Sequence, residues 1–271
     1  MVLVDGHNLL WRGAFGFPAR ITARDGEDRT GVFAFFALLR VAQRELPPDS
    51  ELIVCFDGEH GARERQAEDD DYKSNRTDID LSPLLALPDV KRGLDSISVR
   101  WVELDDSECD DVIATLSERE GDRRVVIFST DKDFFQLLDA RVDIFNQAAH
   151  PHRRRVCAED VVQRFGVTPE QWCDFRALTG DPADAIPGVR GVGARTAARL
   201  LQQNAALEDL RCLGRLSGVV GARIEEVWDD ILRWRSLIRL QRDIAVPAVS
   251  KGESTATLPK PADMLQTLAL W

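Results

Sequence analysis

Short apolar segments, three of which end in an aspartate, recur along the first half of the chain. The five segments are "MVLVD", "ELIVCFD", "SISVRWVEL", "RRVVIFSTD" and "VDIFNQ". Stretches of helical length and spacing lie between them, notably "GVFAFFALLRVAQREL" and "CDDVIATLSEREG". Continuous apolar strands that alternate with helices are typical of a parallel sheet buried on both faces. The pattern therefore predicts an α/β fold with a mostly parallel central sheet flanked by helices.

The pattern changes twice further along the chain. Residues 58–95 are highly charged, contain prolines and offer few apolar anchors, so we expect a long, mobile insertion there. After residue 155 the strand pattern fades and helical segments dominate. We therefore predict an α/β core over residues 1–155 and a helical subdomain over residues 156–271. Within that subdomain, residues 248–271 carry no clear element.

The composition is that of a folded protein with a sizeable core. Hydrophobic residues make up 44% of the 271 positions and charged residues 30%. No apolar run approaches the ~20 residues that a membrane span needs, and the N-terminal segment lacks the features of a signal peptide. We therefore expect a cytoplasmic protein without a membrane partner. The five cysteines have no CxxC spacing and are interpreted as buried free thiols rather than as disulfides or zinc ligands.

Acidic residues form four groups, several of them at positions where such a sheet binds ligands. In an open α/β sheet, ligands bind beyond the carboxyl ends of the strands, and acids that directly follow strands would stand at that edge. The groups are Asp5 and Asp57 after strands, Glu108, Asp110 and Asp111 at a helix start, Asp131 and Asp133 after a strand, and Asp181 and Asp184 before a glycine-spaced turn. Helical spacing predicts that Glu108 and Asp111 face the same cleft and that Asp110 points aside.

Each acid taken alone has a structural explanation, because acids cap helix N-termini and occupy turns after strands. Convergence of all of them favours a different interpretation, since so many carboxylates would repel one another unless a cation lay among them. Oxygen ligands without histidine or cysteine favour Mg²⁺ or Mn²⁺. Two such ions about 3.5–4 Å apart are a recurring arrangement for phosphodiester cleavage. The four histidines, His7, His60, His150 and His152, are interpreted as structural or solvent-facing.

The net charge of −11 disfavours a nucleic-acid partner unless the acids hold metal, because bound divalent ions reverse the local sign of charge. Two other features favour phosphate binding. The turn "GVRGVG" at 188–193 offers backbone amides at a helix start, with Arg190, Arg195 and Arg199 beside it. It could also serve only as a helix entry. In "DYKSNR", Tyr72 beside Lys73 and Arg76 suits an unstacked base or a single-stranded backbone, although the motif taken by itself favours an exposed helix face of mixed charge.

Taken together, these motifs resemble those of the bacterial and phage 5'-nucleases, the flap endonuclease and 5'-3' exonuclease group that includes the N-terminal nuclease domain of DNA polymerase I. The matching segments, in family order, are "LVDGHNLLWRGAF", "FDG", "YKSNR", "ECDDVIATL", "FSTDKDFFQLL" and "GDPADAIPGVRGVGARTAARLL". The resemblance implies a PIN-like 5'-nuclease fold with a helical arch over about 58–95. It also implies a helix-hairpin-helix element at 186–201 that contacts duplex backbone, with a potassium ion bound there.

The resemblance also implies roles for individual residues. Asp5, Asp57, Glu108, Asp110, Asp111 and Asp131 would surround one metal ion, and Asp133, Asp181 and Asp184 would complete a second site. Asp5, Asp111 and Asp131 would act in catalysis together with Lys73 and Arg76, which would stabilise the phosphate oxygens. DNA would be bound by Tyr72, Lys73, Arg76, Arg176, Arg190, Gly191, Gly193 and Arg195. Arg176 and Arg195 stand where relatives commonly carry lysine, and Ala185 where asparagine is usual.

We therefore expect a stand-alone, monomeric structure-specific 5'-nuclease that acts in replication and repair. It would hydrolyse DNA near 5' ends with two Mg²⁺ or Mn²⁺ ions, on 5'-flap, nicked or 5'-ended duplexes, RNA-primed ends included. One alternative is a structure-specific DNA-binding protein with weak or lost chemistry. Another is a ribonuclease of the related small acid-cluster fold, in which the hairpin and the arch would be superfluous.

Overall fold

A six-stranded sheet forms the centre of the protein in the computed structural model, which describes residues 1–46, 50–76, 80–247 and 258–271. The strands are β1 (Val2–Asp5), β2 (Leu52–Phe56), β3 (Arg100–Glu103), β4 (Val125–Phe128), β5 (Val142–Phe145) and β6 (Arg155–Val156). Their spatial order is β3-β2-β1-β4-β5-β6, and every neighbouring pair is parallel except β5 and β6. The predicted mostly parallel α/β sheet is confirmed. Strand β6, only two residues long, was not predicted because no apolar run marks it.

The strand order reverses beside β1, and this reversal creates a crevice. From β1 the chain moves outward through β2 and β3, and it then returns to place β4 on the other side of β1. Val2 is in register with Leu52 on one side and with Val126 on the other, so the carboxyl ends of the three central strands lie level. Open α/β sheets bind ligands at such a switch point.

Apolar layers cover both faces of the sheet, which explains the continuous hydrophobic strands. The helices of the first half are α1 (Gly6–Gly16), α2 (Thr30–Glu45), α3 (Arg63–Glu68), α4 (Leu87–Ser96) and α5 (Cys109–Arg119). Val2 and Val4 pack with α1, α2 and α4 on one face, whereas Leu3 packs with α5 on the other. All three side chains have no exposed surface, as the alternation of a strand with two covered faces requires.

The region after β6 is helical, as predicted. Its helices are α6 (Ala158–Phe165), α7 (Trp172–Thr179), α8 (Ala194–Leu200), α9 (Asp209–Cys212), α10 (Gly218–Glu226), α11 (Trp228–Ile238) and α12 (Pro261–Thr267). Trp172 anchors this region, being buried among the rings of Phe135, Phe165 and Phe175. Helix α12 lies within residues 248–271, for which the sequence indicated no element. It packs on α2 through Met264 and Leu265.

Residues 58–95 contain more ordered structure than the sequence indicated. Helix α3 and short 3₁₀ helices at Ser74–Arg76 and Ser82–Ala86 precede α4. Val90 and Leu94 are fully buried, so the expectation of few apolar anchors is wrong for the second half of this stretch. Their α4 backbone passes so close to α2 that a Cβ on Gly93 would meet the Phe36 ring at 2.5 Å. Among the described residues, no helix combines the length and apolar character that crossing a membrane requires.

Candidate active site

The four acidic groups converge at the carboxyl edge of the sheet. Asp5 ends β1, Asp57 directly follows β2, and the helix that begins at Cys109 brings Asp110 to the same edge. The carboxyl group of Asp110 has a pKa well above its usual range, first because it is buried and then because the negative charges of Asp131, Asp5 and Asp57 oppose its ionisation. Mutual repulsion of this kind acts only over short distances. Asp5, Asp57, Asp110 and Asp131 are therefore gathered in one basin rather than spread over separate faces.

Asp5 is held rigidly at the bottom of this basin. One of its carboxylate oxygens accepts a hydrogen bond from the backbone N–H of Asn8 at 2.9 Å, and the other accepts one from the Ser129 hydroxyl at 2.7 Å. Burial raises the pKa of Asp5 to about 7 despite these hydrogen bonds, and the charges of Asp57 and Asp131 raise it further. The carboxylate is thus fixed in place and is costly to ionise without a cation nearby.

Asp133, Asp181 and Asp184 form a compact acidic cluster, with one oxygen from each lying within 4.8 Å of the others. Burial raises the pKa of Asp133, and the charges of Asp131, Asp181 and Asp184 add to this effect. Asp181 caps a short 3₁₀ turn by accepting from the Ala183 amide at 2.9 Å. Carboxylate oxygens alone are the ligands that Mg²⁺ and Mn²⁺ prefer, and their crowding is relieved by a cation. These residues therefore fit a divalent metal ion.

The start of α5 orients one of its acids, Asp110, differently from the sequence prediction. Glu108 is the N-cap residue, with extended backbone (φ −74°, ψ 148°), and the side chains of Glu108 and Asp111 both bind Arg65, so these two acids face the same side as predicted. Asp110, which was expected to point aside, interacts with Asp5, Asp57 and Asp131. Asp111 instead accepts two hydrogen bonds from the buried Arg65, at 2.7 and 2.9 Å.

Arg65 is a site residue that sequence reasoning missed. Its guanidinium also pairs with Glu108, and only 7% of the residue is exposed. Burial alone would lower the pKa of Arg65, but the hydrogen bonds and charge of Asp111 raise it overall. The same contacts hold the pKa of Glu108 below its usual range, because Lys73 and Arg65 outweigh the effect of burial. Nothing in the charged stretch "GARERQ" distinguishes this arginine from its neighbours.

Tyr72 and Lys73 lie against the acids in this structure. The Tyr72 ring is 5% exposed and its hydroxyl donates to Glu108 at 3.3 Å, so the ring is neither on an exposed face nor open to a base. Burial raises the pKa of Tyr72. The Lys73 ammonium pairs with Glu108, and its backbone amide donates to the Asp184 carbonyl at 3.1 Å with φ at +56°. The side chain of Arg76 lies outside the described residues.

The glycine turn has the predicted backbone geometry. Gly188 and Gly191 have φ of +66° and +84°, and a Cβ on Gly188 would meet the Gly180 amide nitrogen at 2.3 Å. Gly193 precedes α8, and the side chains of Arg190 and Arg195 are exposed. Arg176, also predicted to contact DNA, is mostly buried and pairs with Asp181 instead.

Cysteine and histidine contribute supporting contacts near the acids. The Cys109 thiol lies 3.2 Å from the Cys55 carbonyl oxygen and 3.9 Å from an Asp5 oxygen, and burial raises its pKa well above the usual range. His7 accepts a hydrogen bond from the Asp57 amide at 3.0 Å, in line with its predicted structural role. All five cysteines are free, as predicted. Cys55, Cys109 and Cys173 are buried, whereas Cys157 is partly exposed and Cys212 is exposed.

A parallel sheet whose switch point holds a basin of carboxylates defines a class of metal-binding α/β proteins. Comparison with known families specifies the class further. Residues 1–166 match the 5'-3' exonuclease N-terminal resolvase-like domain, and residues 167–258 match the 5'-3' exonuclease C-terminal SAM fold. The chain therefore belongs to the 5'-3' exonuclease family, and the resemblance seen in its motifs is confirmed.

Individual relatives agree with this assignment. The chain is 37% identical over 215 residues to thermostable DNA polymerase I of Thermus thermophilus, covering 78% of this chain and 24% of that protein. It is 30% identical to DNA polymerase I of Bacillus subtilis, covering 93% of this chain and 29% of that protein. The chain thus spans about a quarter of the length of these curated relatives.

Solved structures show the same fold. The T5 5'-exonuclease with bound divalent zinc ions superimposes with a TM-score of 0.72 at 21% identity, covering 89% of each chain. The bacteriophage T5 D15 flap endonuclease, in a complex with DNA and metal ions, gives 0.71 at 20% identity, covering 99% of this chain and 98% of that one. The predicted PIN-like nuclease fold with a helical C-terminal subdomain is confirmed.

Proposed function

We propose that this protein is a divalent-metal-dependent 5'-nuclease, with flap endonuclease and 5'-3' exonuclease activity on DNA. The observation that carries the proposal is the convergence of acids at the β1–β4 switch point, including the cluster of Asp133, Asp181 and Asp184. Relatives named as DNA polymerase I and a T5 flap endonuclease complex with DNA support the choice of substrate.

Two metal sites would divide the acids between them. Asp5, Asp57, Glu108, Asp110, Asp111 and Asp131 were predicted for the first, and Asp133, Asp181 and Asp184 for the second. Divalent cations, Mg²⁺ or Mn²⁺, would lower the pKa of a water molecule and offset the negative charge of the scissile phosphate. The protein's own contribution is rigidity: Asn8 and Ser129 hold Asp5, and the capped turn holds Asp181.

Cationic side chains would bind and orient the DNA. Lys73 is positioned to exchange its Glu108 partner for a phosphate oxygen, since the two groups already meet at the rim of the basin. Arg190 and Arg195 on the glycine turn would contact duplex backbone through exposed guanidinium groups, together with the amides at Gly191 and Gly193. A potassium ion at this turn, a monomeric state, and a role at 5'-flap, nicked or RNA-primed ends in replication and repair belong to the same proposal.

Cleavage of a labelled 5'-flap duplex would test the proposal. Product mapping with Mg²⁺ and with Mn²⁺ should show cuts near the flap junction that leave a 5'-phosphate and a 3'-hydroxyl. Asp133→Asn should abolish these products. Asp143→Asn should not, because Asp143 lies on β5 and, among the described residues, pairs only with the exposed Arg155. Folded wild-type protein that binds the flap without cutting it in either metal would support the alternative of a DNA-binding protein. Preferential cutting of an RNA flap would support the ribonuclease alternative.

A further inference from the structure

The buried guanidinium of Arg65 joins three parts of the chain. It extends from α3, within the stretch predicted to form the arch, and makes paired hydrogen bonds to Asp111 on α5. It also donates to the Arg239 carbonyl at 3.3 Å, just after α11. Asp111 completes the connection by accepting a hydrogen bond from the backbone N–H of Gln241 at 2.8 Å. A planar guanidinium that is held from both sides in this way has little rotational freedom.

Asp111 has little capacity left for a metal ion. Each of its oxygens accepts from a different nitrogen of Arg65, and one of them accepts from Gln241 as well. Asp110, by contrast, lies among the negative charges of Asp131, Asp5 and Asp57. Arg65 and Asp111 therefore constitute a fixed unit, to which Glu108 is also bound.

Glu108 is held by different groups on its two oxygens. One oxygen pairs with Arg65 and accepts from the Tyr72 hydroxyl, and the other pairs with Lys73. Because Asp111 anchors Arg65, the contact to Lys73 is the one that can be exchanged. We propose that Arg65 is a positioning residue that fixes one oxygen of Glu108 and leaves the other for a metal ion, and that Asp111 acts through Arg65. This inference rests on the proposed function, which supplies the metal ion.

Arg65→Lys tests this inference while it keeps the positive charge. The single ammonium nitrogen of lysine cannot replace the two guanidinium nitrogens that bind Asp111 and Glu108 together. Glu108 should therefore lose its fixed orientation. We expect the dissociation constant for Mn²⁺, titrated into DNA-free protein by calorimetry, to rise about tenfold, as is typical when a partner of a metal ligand is removed. Thermal unfolding in EDTA should confirm that the variant is folded at the titration temperature.

Arg233→Lys is the matched control. Arg233 also links the stretch after α3 to α11, through Asp69 at 3.1 Å, but it does not contact Glu108. This variant should bind Mn²⁺ as the wild type does. If Arg65→Lys and Arg233→Lys lower the unfolding temperature while both leave Mn²⁺ affinity unchanged, Arg65 has only a structural role and the inference is wrong.

A double-mutant cycle then separates the two roles open to Asp111. If Asp111 acts through Arg65, adding Asp111→Asn to Arg65→Lys should weaken Mn²⁺ binding no further than the more damaging single change. Multiplicative losses would instead mean that Asp111 ligates the metal directly, which would overturn the assignment. Because the readout is metal binding rather than cleavage, a wild-type protein that binds Mn²⁺ but cuts no DNA would refute the proposed function and leave this test intact.

Discussion

Replacing Asp5 with asparagine should stabilise the metal-free protein at alkaline pH. Asparagine retains an oxygen for the Asn8 amide, and the Ser129 hydroxyl can rotate to accept from its NH₂ group. The substitution therefore removes the buried negative charge with little change in shape. An enzyme that sacrifices stability to crowd acids together should gain stability when one of those charges is removed.

The expected size follows from the raised pKa of Asp5. Burial raises it from 3.8 to about 7, so the folded state disfavours the carboxylate relative to the unfolded chain. The penalty is absent below the unfolded pKa, grows as the pH rises, and is complete above the folded pKa. At 1.36 kcal/mol per pKa unit, it reaches about 4 kcal/mol near pH 8 and about 1.5 kcal/mol near pH 5. For a chain of this size, about 4 kcal/mol corresponds to roughly 10 °C in melting temperature.

Thermal unfolding followed by circular dichroism checks this expectation. Both proteins should be melted in EDTA near pH 5 and near pH 8, and again near pH 8 with saturating Mg²⁺. Asp5→Asn should have the higher melting temperature in EDTA, by a margin that widens with pH, and Mg²⁺ should stabilise the wild type more than the variant. A margin that is equal at both pH values, or a variant that is less stable near pH 8, would refute the reasoning.

Three further outcomes are expected. Asp131→Asn should slow single-turnover flap cleavage at least ~100-fold, while flap affinity measured in Ca²⁺ changes less than about twofold, because the acid serves the reaction rather than the grip on DNA. Gly191→Ala should cost about 1 kcal/mol of unfolding free energy and weaken duplex binding, since φ at this position is +84°; a denaturant titration and an anisotropy assay would show both effects. Leu94→Ala should destabilise the protein by about 2–5 kcal/mol in a denaturant titration, because α4 is part of the core; a loss under 1 kcal/mol would contradict its burial.

The sequence predicted the sheet well because its signal is local. β1, β2 and β4 are continuous apolar runs that end near acids, and parallel pairing then brings those acids to one edge. Strand β6 and helix α12 were not predicted. Strand β6 has only two residues, too few to show a periodic pattern. Helix α12 is short and owes its stability to contacts with α2, which is distant in sequence.

The errors at the site arose where one residue's orientation depends on a remote partner. Asp110 was expected to point aside, but it lies among the charges of Asp5, Asp57 and Asp131, which distant strands bring to the same edge. Tyr72 looked exposed in a charged stretch, but Glu108 draws its hydroxyl inward. Arg65 was overlooked because its partners Asp111 and Arg239 are far away in the sequence, and charge alone does not identify them. Such pairings are tertiary, and one sequence contains no local record of them.

The thiol of Cys109 beneath Asp5 offers a way to observe the basin opening. While the site stays closed, burial keeps this sulfur protonated and out of reach of alkylating reagents, whereas Cys212 on the surface should react at once. The rate of Cys109 alkylation, followed by peptide mass spectrometry, would therefore report how often the structure around Asp5 opens locally. Because Cys109 is a native residue, this measurement needs no engineered cysteine.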